Sequence, residues 1–296
     1  MPNATNGYAL NAGILFAILA ALLNSTAGIF SKILLEHYDS NDIAFAKCLV
    51  AFILVGICIF ATGAWKKIDW NWEFIAQVAL CSLFGICGMY AFETIAYKNV
   101  VAPVVVLCLM GASTITTLLV GHFWLKERLT LVTLFCLALI LIGLFLMLPS
   151  NAHIDHYLGL FWGILSGVCY GMFLLLAKRF DFPSNIVSIW LLVGFGMIYL
   201  LPLTSNSHTL LLDTAMLPYL IPLAIFPTVL GFYCTTKALT YISASKVQLF
   251  EVSEPIFSGI LAYIVLQELI SGRGYIGAVI IIGTLILYQR TSGKST

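Results

Sequence analysis

Apolar segments about as long as a membrane is thick alternate with short clusters of charged residues along the whole chain. A bilayer core of about 30 Å needs roughly 20 helical residues, and a helix satisfies its backbone hydrogen bonds within its own segment. The pattern therefore predicts an all-α polytopic membrane protein. Ten transmembrane helices, numbered 1 to 10, are expected at residues 10–33, 42–64, 74–97, 100–123, 129–149, 158–178, 185–204, 216–238, 243–266 and 272–289.

Composition agrees with this pattern and excludes several classes of function. Hydrophobic residues make up 61% of the chain and charged residues 9%, against about 25% charged in an average soluble domain. The predicted loops are too short for a soluble enzyme domain, and a net charge of +1 offers no basic tract for nucleic acid. The eight cysteines show no CxxC or metal-site spacing. We therefore expect no metal, no other cofactor and no nucleic-acid partner.

The two halves of the sequence resemble each other. The segment from Gly13 aligns without gaps on the segment from Gly159, GMYAFETIAY from Gly88 resembles GFYCTTKALT from Gly231, and WLKERLT resembles VLQELIS. We therefore divide the chain into five-helix repeats at residues 1–150 and 151–296. Because each repeat has an odd number of spans, the second must enter the membrane upside down. Such inverted repeats are the architecture of many secondary transporters that work by alternating access.

Positive charges predict the orientation, because Lys and Arg are retained on the cytoplasmic side. With both termini inside, nine positive residues lie on the inner side and three on the outer side. The inner set is Lys66, Lys67, Lys126, Arg128, Lys178, Arg179, Lys237, Arg290 and Lys294, and the outer set is Lys32, Lys98 and Arg273. The first residues, MPNATNGYAL, show neither the basic region nor the cleavage site of a signal peptide, so helix 1 is expected to remain in the protein.

The ends of helices 4 and 9 carry the motifs LKERLT and LQELIS, the second of which closes the segment SEPIFSGILAYIVLQE from Ser253. With ten predicted spans, these motifs resemble the drug/metabolite transporter superfamily and its EamA-type branch. Two departures stand out: helix 4 lacks a proline around Ser113, and Lys47 stands where many members have arginine. The resemblance implies a proton-coupled or passive carrier of small metabolites in the cell membrane, the inner membrane in a bacterium. Such carriers are often exporters of amino acids or drugs.

Two carboxylates near the middle of helix 9 are the sharpest candidates for function. Glu251 and Glu254 lie at a depth where a charge costs a few kcal/mol, so an intramembrane acid is a functional candidate by default. Gln248, Glu251, Pro255 and Ser258 share one face of the helix. We expect these acids to bind substrate or protons, with Gln248 beside them. The alternative is that they are paired or protonated structural groups.

Lys47 in helix 2 and Glu93 in helix 3 are the other buried charges to explain. Lys47 is either the partner of a substrate carboxylate or of a glutamate, or it snorkels to the outer surface. Glu93 is either an outer gate residue or a solvated acid at the interface. Glu127 and Glu268, which match the family motif, are expected to form interfacial ion pairs near Arg128 and Arg273.

Matching mid-helix positions of the two repeats carry polar and aromatic side chains. Asn24 in helix 1 corresponds to Tyr170 in helix 6, and Tyr90 in helix 3 corresponds to Tyr233 in helix 8. They are expected either to line one central cavity or to serve helix packing and interhelical hydrogen bonds. Pro227 and Pro255, in helices 8 and 9, are expected to act as hinges.

These residues predict a monomeric secondary transporter, with the lipid bilayer and a small molecule as its partners. Two acids, one lysine and aromatic walls suit a zwitterion such as an amino acid or a related amine, and a buried acid suits proton coupling. Two alternatives stay open. One is a facilitative permease or channel for another metabolite such as a nucleotide sugar. The other is an intramembrane enzyme, which requires the histidines to converge: His37, His122, His153, His156 and His208.

Overall fold

The computed structural model describes residues 3–67, 71–126, 130–147, 154–204, 213–267 and 272–292. Within these ranges every secondary-structure element is a helix. A membrane-length helix is called a rod, and the suffixes a and b mark the two parts of an interrupted rod. The helices of the first half are α1a (Asn3–Asn24), α1b (Ala27–Leu35), α2 (Ser40–Thr62), α3a (Trp72–Ser82), α3b (Met89–Asn99), α4 (Ala102–Trp124) and α5 (Leu131–Met147). Those of the second half are α6 (Ile154–Arg179), α7 (Ile186–Leu200), α8a (Leu217–Leu223), α8b (Phe232–Tyr241), α9a (Ala244–Glu251), α9b (Glu254–Leu266) and α10 (Gly272–Ser292).

Eight of the described rods are long and apolar enough to cross a bilayer. They are Tyr8–Leu35, Ser40–Thr62, Trp72–Asn99, Ala102–Trp124, Tyr157–Arg179, Ile186–Leu203, Leu217–Tyr241 and Ala244–Leu266. Leu131–Gly143 and Gly272–Thr284 are shorter apolar helices at the places of predicted helices 5 and 10. Large apolar side chains point outward from the rods, such as Ile57 and Ile264, each 61% exposed. Exposed apolar surface of this extent is suited to contact with lipid.

A glycine stripe on α6 brings that helix close to α4. A Cβ at Gly167 would overlap the backbone carbonyl of Leu109, and one at Gly163 would lie 3.1 Å from the Cβ of Cys108. Small residues spaced four apart on a helix allow such close helix packing. The contact fixes the part of α6 that carries Tyr170.

Two rods are broken in the middle of the bundle. Helix 9 stops at Glu251 and restarts at Glu254, because Pro255 has no N–H to donate to the Glu251 carbonyl. Helix 1 breaks at Ser25 and Thr26, whose hydroxyls donate to the carbonyls of Leu22 and Leu23 at 2.6 and 2.7 Å.

Helices 3 and 8 are bridged by π-helical segments, Leu83–Gly88 and Ala224–Gly231. Pro227, which lacks a donor for a regular helical bond, lies inside the second segment. Helix 4, without a proline, runs unbroken past Ser113. The turns after helices 3 and 8 are as short as predicted, since α4 starts at Ala102 and α9a at Ala244. The interrupted helices meet around the buried charges.

Candidate functional site

Three carboxylates and one lysine lie buried at the centre of the bundle. Lys47 and Glu251 are 0% exposed, Glu93 is 1% exposed and Glu254 is 3% exposed. Asp42 is also buried, but it lies in the first turn of α2, where the positive end of the helix dipole stabilises a carboxylate. The central four are contributed by α2, α3b and the broken ends of helix 9.

Glu251, the last residue of α9a, accepts hydrogen bonds from two other helices. The Tyr170 hydroxyl on α6 donates to Oε2 at 2.7 Å, and the Thr235 hydroxyl on α8b donates to Oε1 at 2.6 Å. The two hydroxyl oxygens are 3.2 Å apart. The structure thus joins the predicted residues Glu251 and Tyr170, and adds Thr235, which the sequence analysis did not single out.

Lys47 and Glu93 form a second buried group. The Lys47 Nζ lies 3.8 Å from Glu93 Oε2 and 3.2 Å from the centroid of the Tyr90 ring. The Tyr97 hydroxyl donates to Glu93 Oε1 at 2.9 Å. Two of the alternatives considered from the sequence are therefore wrong: Lys47 does not snorkel to the surface, and Glu93 is not a solvated interfacial acid. The Lys47 side chain instead points inward, because the Glu93 carboxylate and the face of the Tyr90 ring attract its ammonium group there.

Glu254 lies between these two groups. Its electrostatic neighbours are the Glu93 and Glu251 carboxylates, and its position in the first turn of α9b favours a negative charge. Among the described residues no hydrogen bond or ion pair to the Glu254 side chain is found. It is the acid of the site with the fewest partners.

The remaining predicted residues divide between the site and its surroundings. Asn24 ends α1a with Oδ1 against Gly231, where a Cβ would overlap it. Gln248 turns away from the acids towards α4, with Nε2 3.3 Å from the Thr114 hydroxyl. Ser258 is buried, and its hydroxyl finds no hydrogen-bond partner in the described part of the chain.

An aromatic wall connects the two charged groups. The Phe232 ring meets Tyr90 and Tyr170 edge-on, with centroids 5.9 and 6.4 Å away. Tyr233 is half-buried on the same helix and packs against the apolar core. Tyr90 and Tyr170 therefore belong to the site, while no described contact brings the Tyr233 ring to the acids.

The two predicted hinges flank this centre. Pro255 directly follows Glu254, and Pro227 lies four residues before Gly231, the glycine that Asn24 contacts. The three acids and Thr235 are thus carried by interrupted helices, whereas Lys47 and Tyr170 lie on the unbroken α2 and α6. Small rotations of the half-helices change the distances between the acids.

The site is closed in this conformation. Its four charged side chains are at most 3% exposed, and two cavities of the described part lie elsewhere: one of about 240 Å³ is lined by Lys178, Asp181 and Leu239, and one of about 180 Å³ by Phe52, Trp190 and Phe195. A molecule can reach the buried acids only if helices move apart.

Several sequence predictions concern residues that lie outside the described part or away from the site. Glu127, Arg128 and Glu268 are outside the described residues, as are His153, His208 and the side chain of His156. His122 packs against Phe123, and His37 follows the end of α1b. The described histidines do not join the buried acids.

Comparison with known proteins agrees with this architecture. The chain matches the EamA-like transporter family twice, over residues 11–148 and 157–289. A solved crystal structure superposes with a TM-score of 0.72 over 95% of this chain and 98% of its own, at 16% identity, which shows a common fold.

Relatives are transporters. The Bacillus subtilis (strain 168) protein described as "Uncharacterized transporter YxxF" is 23% identical over 192 residues, 62% of this chain and 60% of that protein. This match therefore spans less than two thirds of the relative. An uncharacterized transporter of Clostridium kluyveri is 22% identical over 295 residues, 94% of this chain and 93% of that protein. With its polytopic helices and both matches to the family, the chain belongs to the EamA-like transporter family of the drug/metabolite transporter superfamily, and is a multi-pass membrane transporter rather than an enzyme.

Proposed function

We propose that this protein is a secondary carrier for small amine-bearing metabolites, above all neutral and aromatic amino acids, and that it exports them by alternating access. The observation that carries the proposal is the balance of buried charge. Three carboxylates, Glu93, Glu251 and Glu254, share the centre of the bundle with one lysine, Lys47. Because uncompensated buried charge is costly, such a site attracts cations, either ammonium groups or protons.

Glu254 is the group proposed to receive the substrate ammonium. Glu93 has Lys47 and Tyr97 beside it, and Glu251 has two hydroxyl donors, whereas Glu254 has neither kind of partner in the described contacts. The rings of Tyr90 and Tyr170 lie beside the acids, and a cation on an aromatic face gains about 0.5 to 2 kcal/mol. Tyr233, half-buried in this conformation, would join them only after a rotation of α8b.

Proton coupling is proposed for the same acids of helix 9. A carboxylate without water or a cation is costly in the closed site, and a proton removes its charge as an ammonium group does. Glu251 and Glu254 lie within electrostatic range of each other. Loading one with a substrate amine therefore lowers the cost of ionising the other, and this links the two ligands.

The packing of the helices supports ten spans in two inverted repeats. α1 packs on α8 as α6 packs on α3, and α2–α7, α4–α9 and α5–α10 are each in contact. These are the pairs that a two-fold axis exchanges if helices 1 to 5 correspond to helices 6 to 10. The π-helical segments end at Gly88 and Gly231, which correspond in the repeat. Rocking of the repeats would open the closed site to one side at a time.

The proposed setting is the cell membrane, the inner membrane of a bacterium, with both termini in the cytoplasm. The protein is proposed to act as a monomer without a cofactor. A nucleotide sugar or a sugar phosphate would need more buried positive charge than Lys47 supplies. The charge balance therefore favours an amine over these anionic metabolites.

The test is transport by purified protein in liposomes. Labelled phenylalanine should exchange in saturable counterflow, while phenylpyruvate, which lacks the ammonium group, should not. A channel gives no saturable counterflow. Equal transport of both compounds, or of neither beside robust sugar-phosphate flux, would rule out the amine assignment.

Single substitutions assign the roles of the acids. Glu254→Gln and Glu251→Gln should abolish uptake driven by a pH gradient and leave part of the counterflow. Glu73→Gln is the matched control, because Glu73 is an exposed acid whose nearby partner is Gln77 on its own helix. Normal pH-driven uptake in both helix 9 variants would return those acids to a structural role.

A further inference from the structure

Lys47 carries a buried positive charge that no directional bond holds. Its Nζ has no hydrogen-bond acceptor within reach among the described residues. It is held by the Glu93 carboxylate at 3.8 Å and by the face of the Tyr90 ring at 3.2 Å from the centroid. Both attractions depend weakly on direction. The ammonium group can therefore leave without breaking a hydrogen bond.

The place that Lys47 fills has the chemistry expected of a substrate-amine site, namely a carboxylate beside an aromatic face. We propose that Lys47 is a tethered substitute for the substrate's ammonium group, an inference that rests on the proposed function. Without substrate, Lys47 neutralises Glu93 and allows the empty carrier to close. When substrate enters, its ammonium group binds at Glu254 beside the neighbouring Glu93 carboxylate and displaces Lys47, whose free N–H donors can then meet the substrate carboxylate.

Closing the site excludes water, and a buried carboxylate left without a partner is strongly unfavourable. A loaded carrier brings its own cation into the site. An empty carrier does not, so Lys47 matters most for the return of the empty form. Net transport includes that return step, whereas exchange of one substrate molecule for another avoids it.

The decisive variant is Lys47→Met, reconstituted in liposomes and assayed with labelled phenylalanine. Net uptake into empty liposomes should fall by about a hundredfold, which corresponds to roughly 3 kcal/mol at 1.4 kcal/mol per tenfold. Counterflow against internal phenylalanine should keep most of its rate. A purely structural role would lower both fluxes together, so the ratio of the two is the informative quantity.

A second variant tests the pairing itself. Lys47→Met combined with Glu93→Gln removes both charges and leaves Glu254 to bind the ammonium group, so the empty carrier can close again and the ratio of net uptake to counterflow should return towards that of wild type. The control is Lys98→Met, because Lys98 pairs with Asp39 at 3.6 Å on the exposed surface. That variant should leave both fluxes unchanged.

The outcomes separate this inference from the proposed function. A wild-type protein without saturable phenylalanine flux overturns both. A wild-type protein that transports phenylalanine, with an unchanged ratio of net uptake to counterflow in Lys47→Met, overturns the inference alone. If the single variant does not fold, the double variant decides: a ratio of net uptake to counterflow near that of wild type supports the inference, and a ratio that stays far below it in a folded double variant refutes it.

Discussion

The hydroxyl of Thr235 is predicted to stabilise the protein through Glu251, and its neighbour Thr236 supplies a matched control. Both threonines are 1% exposed on α8b. Thr235 donates to the Glu251 carboxylate at 2.6 Å, whereas Thr236 donates to the carbonyls of Phe232 and Tyr233 in its own helix. Valine has nearly the shape of threonine. Thr235→Val and Thr236→Val therefore remove one hydroxyl each from similar surroundings.

The free energies of unfolding of the two variants should differ by more than the contribution of a hydrogen bond between neutral groups. A hydrogen bond to a charged group contributes about 1.5 to 3 kcal/mol, and Glu251 loses one of its two donors in Thr235→Val. The carbonyls that Thr236 contacts keep their helical N–H partners, so its replacement should cost roughly 0.5 kcal/mol or less. We expect Thr235→Val to lower the free energy of unfolding by about 2 kcal/mol.

Unfolding by titration with a denaturing detergent in mixed micelles measures these differences. A double-mutant cycle with Glu251→Gln identifies the partner, because the cost of Thr235→Val should shrink once the carboxylate is gone. Equal losses for the two threonine variants would refute the reasoning. So would a Thr235→Val cost that is the same with and without Glu251.

Three further predictions follow from other parts of the molecule. Gly167→Ala should destabilise the protein by about 1 to 3 kcal/mol, because its Cβ overlaps the α4 backbone. Gly283→Ala is the control and should be neutral or stabilising, because the space around Gly283 is open. A higher melting temperature for Gly167→Ala would contradict this prediction. The hydrogen bond from Tyr38 to Asp213, 2.7 Å long, holds the pKa of that carboxyl below its ordinary value, so the stability it adds is present at neutral pH and lost as pH falls through the acid range. Tyr38→Phe should be less stable than wild type only above that range, as melting curves at several pH values would reveal. A reporter fused after Thr296 should respond from the cytoplasm, and a signal from the outer side would overturn the proposed orientation.

The positions of the eight membrane-length helices were predictable from the sequence because they depend on a local property, the length of an apolar segment. The broken helix 9 was also predictable, since Pro255 removes a specific donor. The break at Ser25 and Thr26 was not, because these residues also occur inside continuous helices. The break lies beside a contact between residues far apart in the sequence, the Asn24 side chain against Gly231.

The site shows the same division between local and non-local information. The burial of Glu251 and Glu254 followed from their depth in helix 9. The direction of Lys47 did not, because a lysine near a helix end can point outward or inward with little difference in helix geometry. Its partners, Glu93 and Tyr90, lie on another helix. Thr235 was missed because its hydrogen bond to Glu251 joins two helices. The alignment of the two repeats matches Thr236, not Thr235, with Glu93.

The charges of the site are divided between the two halves of the chain. Lys47, Glu93 and Tyr90 come from the first half, and Glu251 with its donors Tyr170 and Thr235 comes from the second. In each group the acid has its own partners, a cation for Glu93 and two hydroxyl donors for Glu251, so each group can move as a unit with those contacts intact. Glu254 is the exception, since it lies between the groups and feels the acids of both. A cation bound at Glu254 would therefore reduce repulsion within the closed site, and this gives a physical reason why substrate or proton binding would favour closure around the centre.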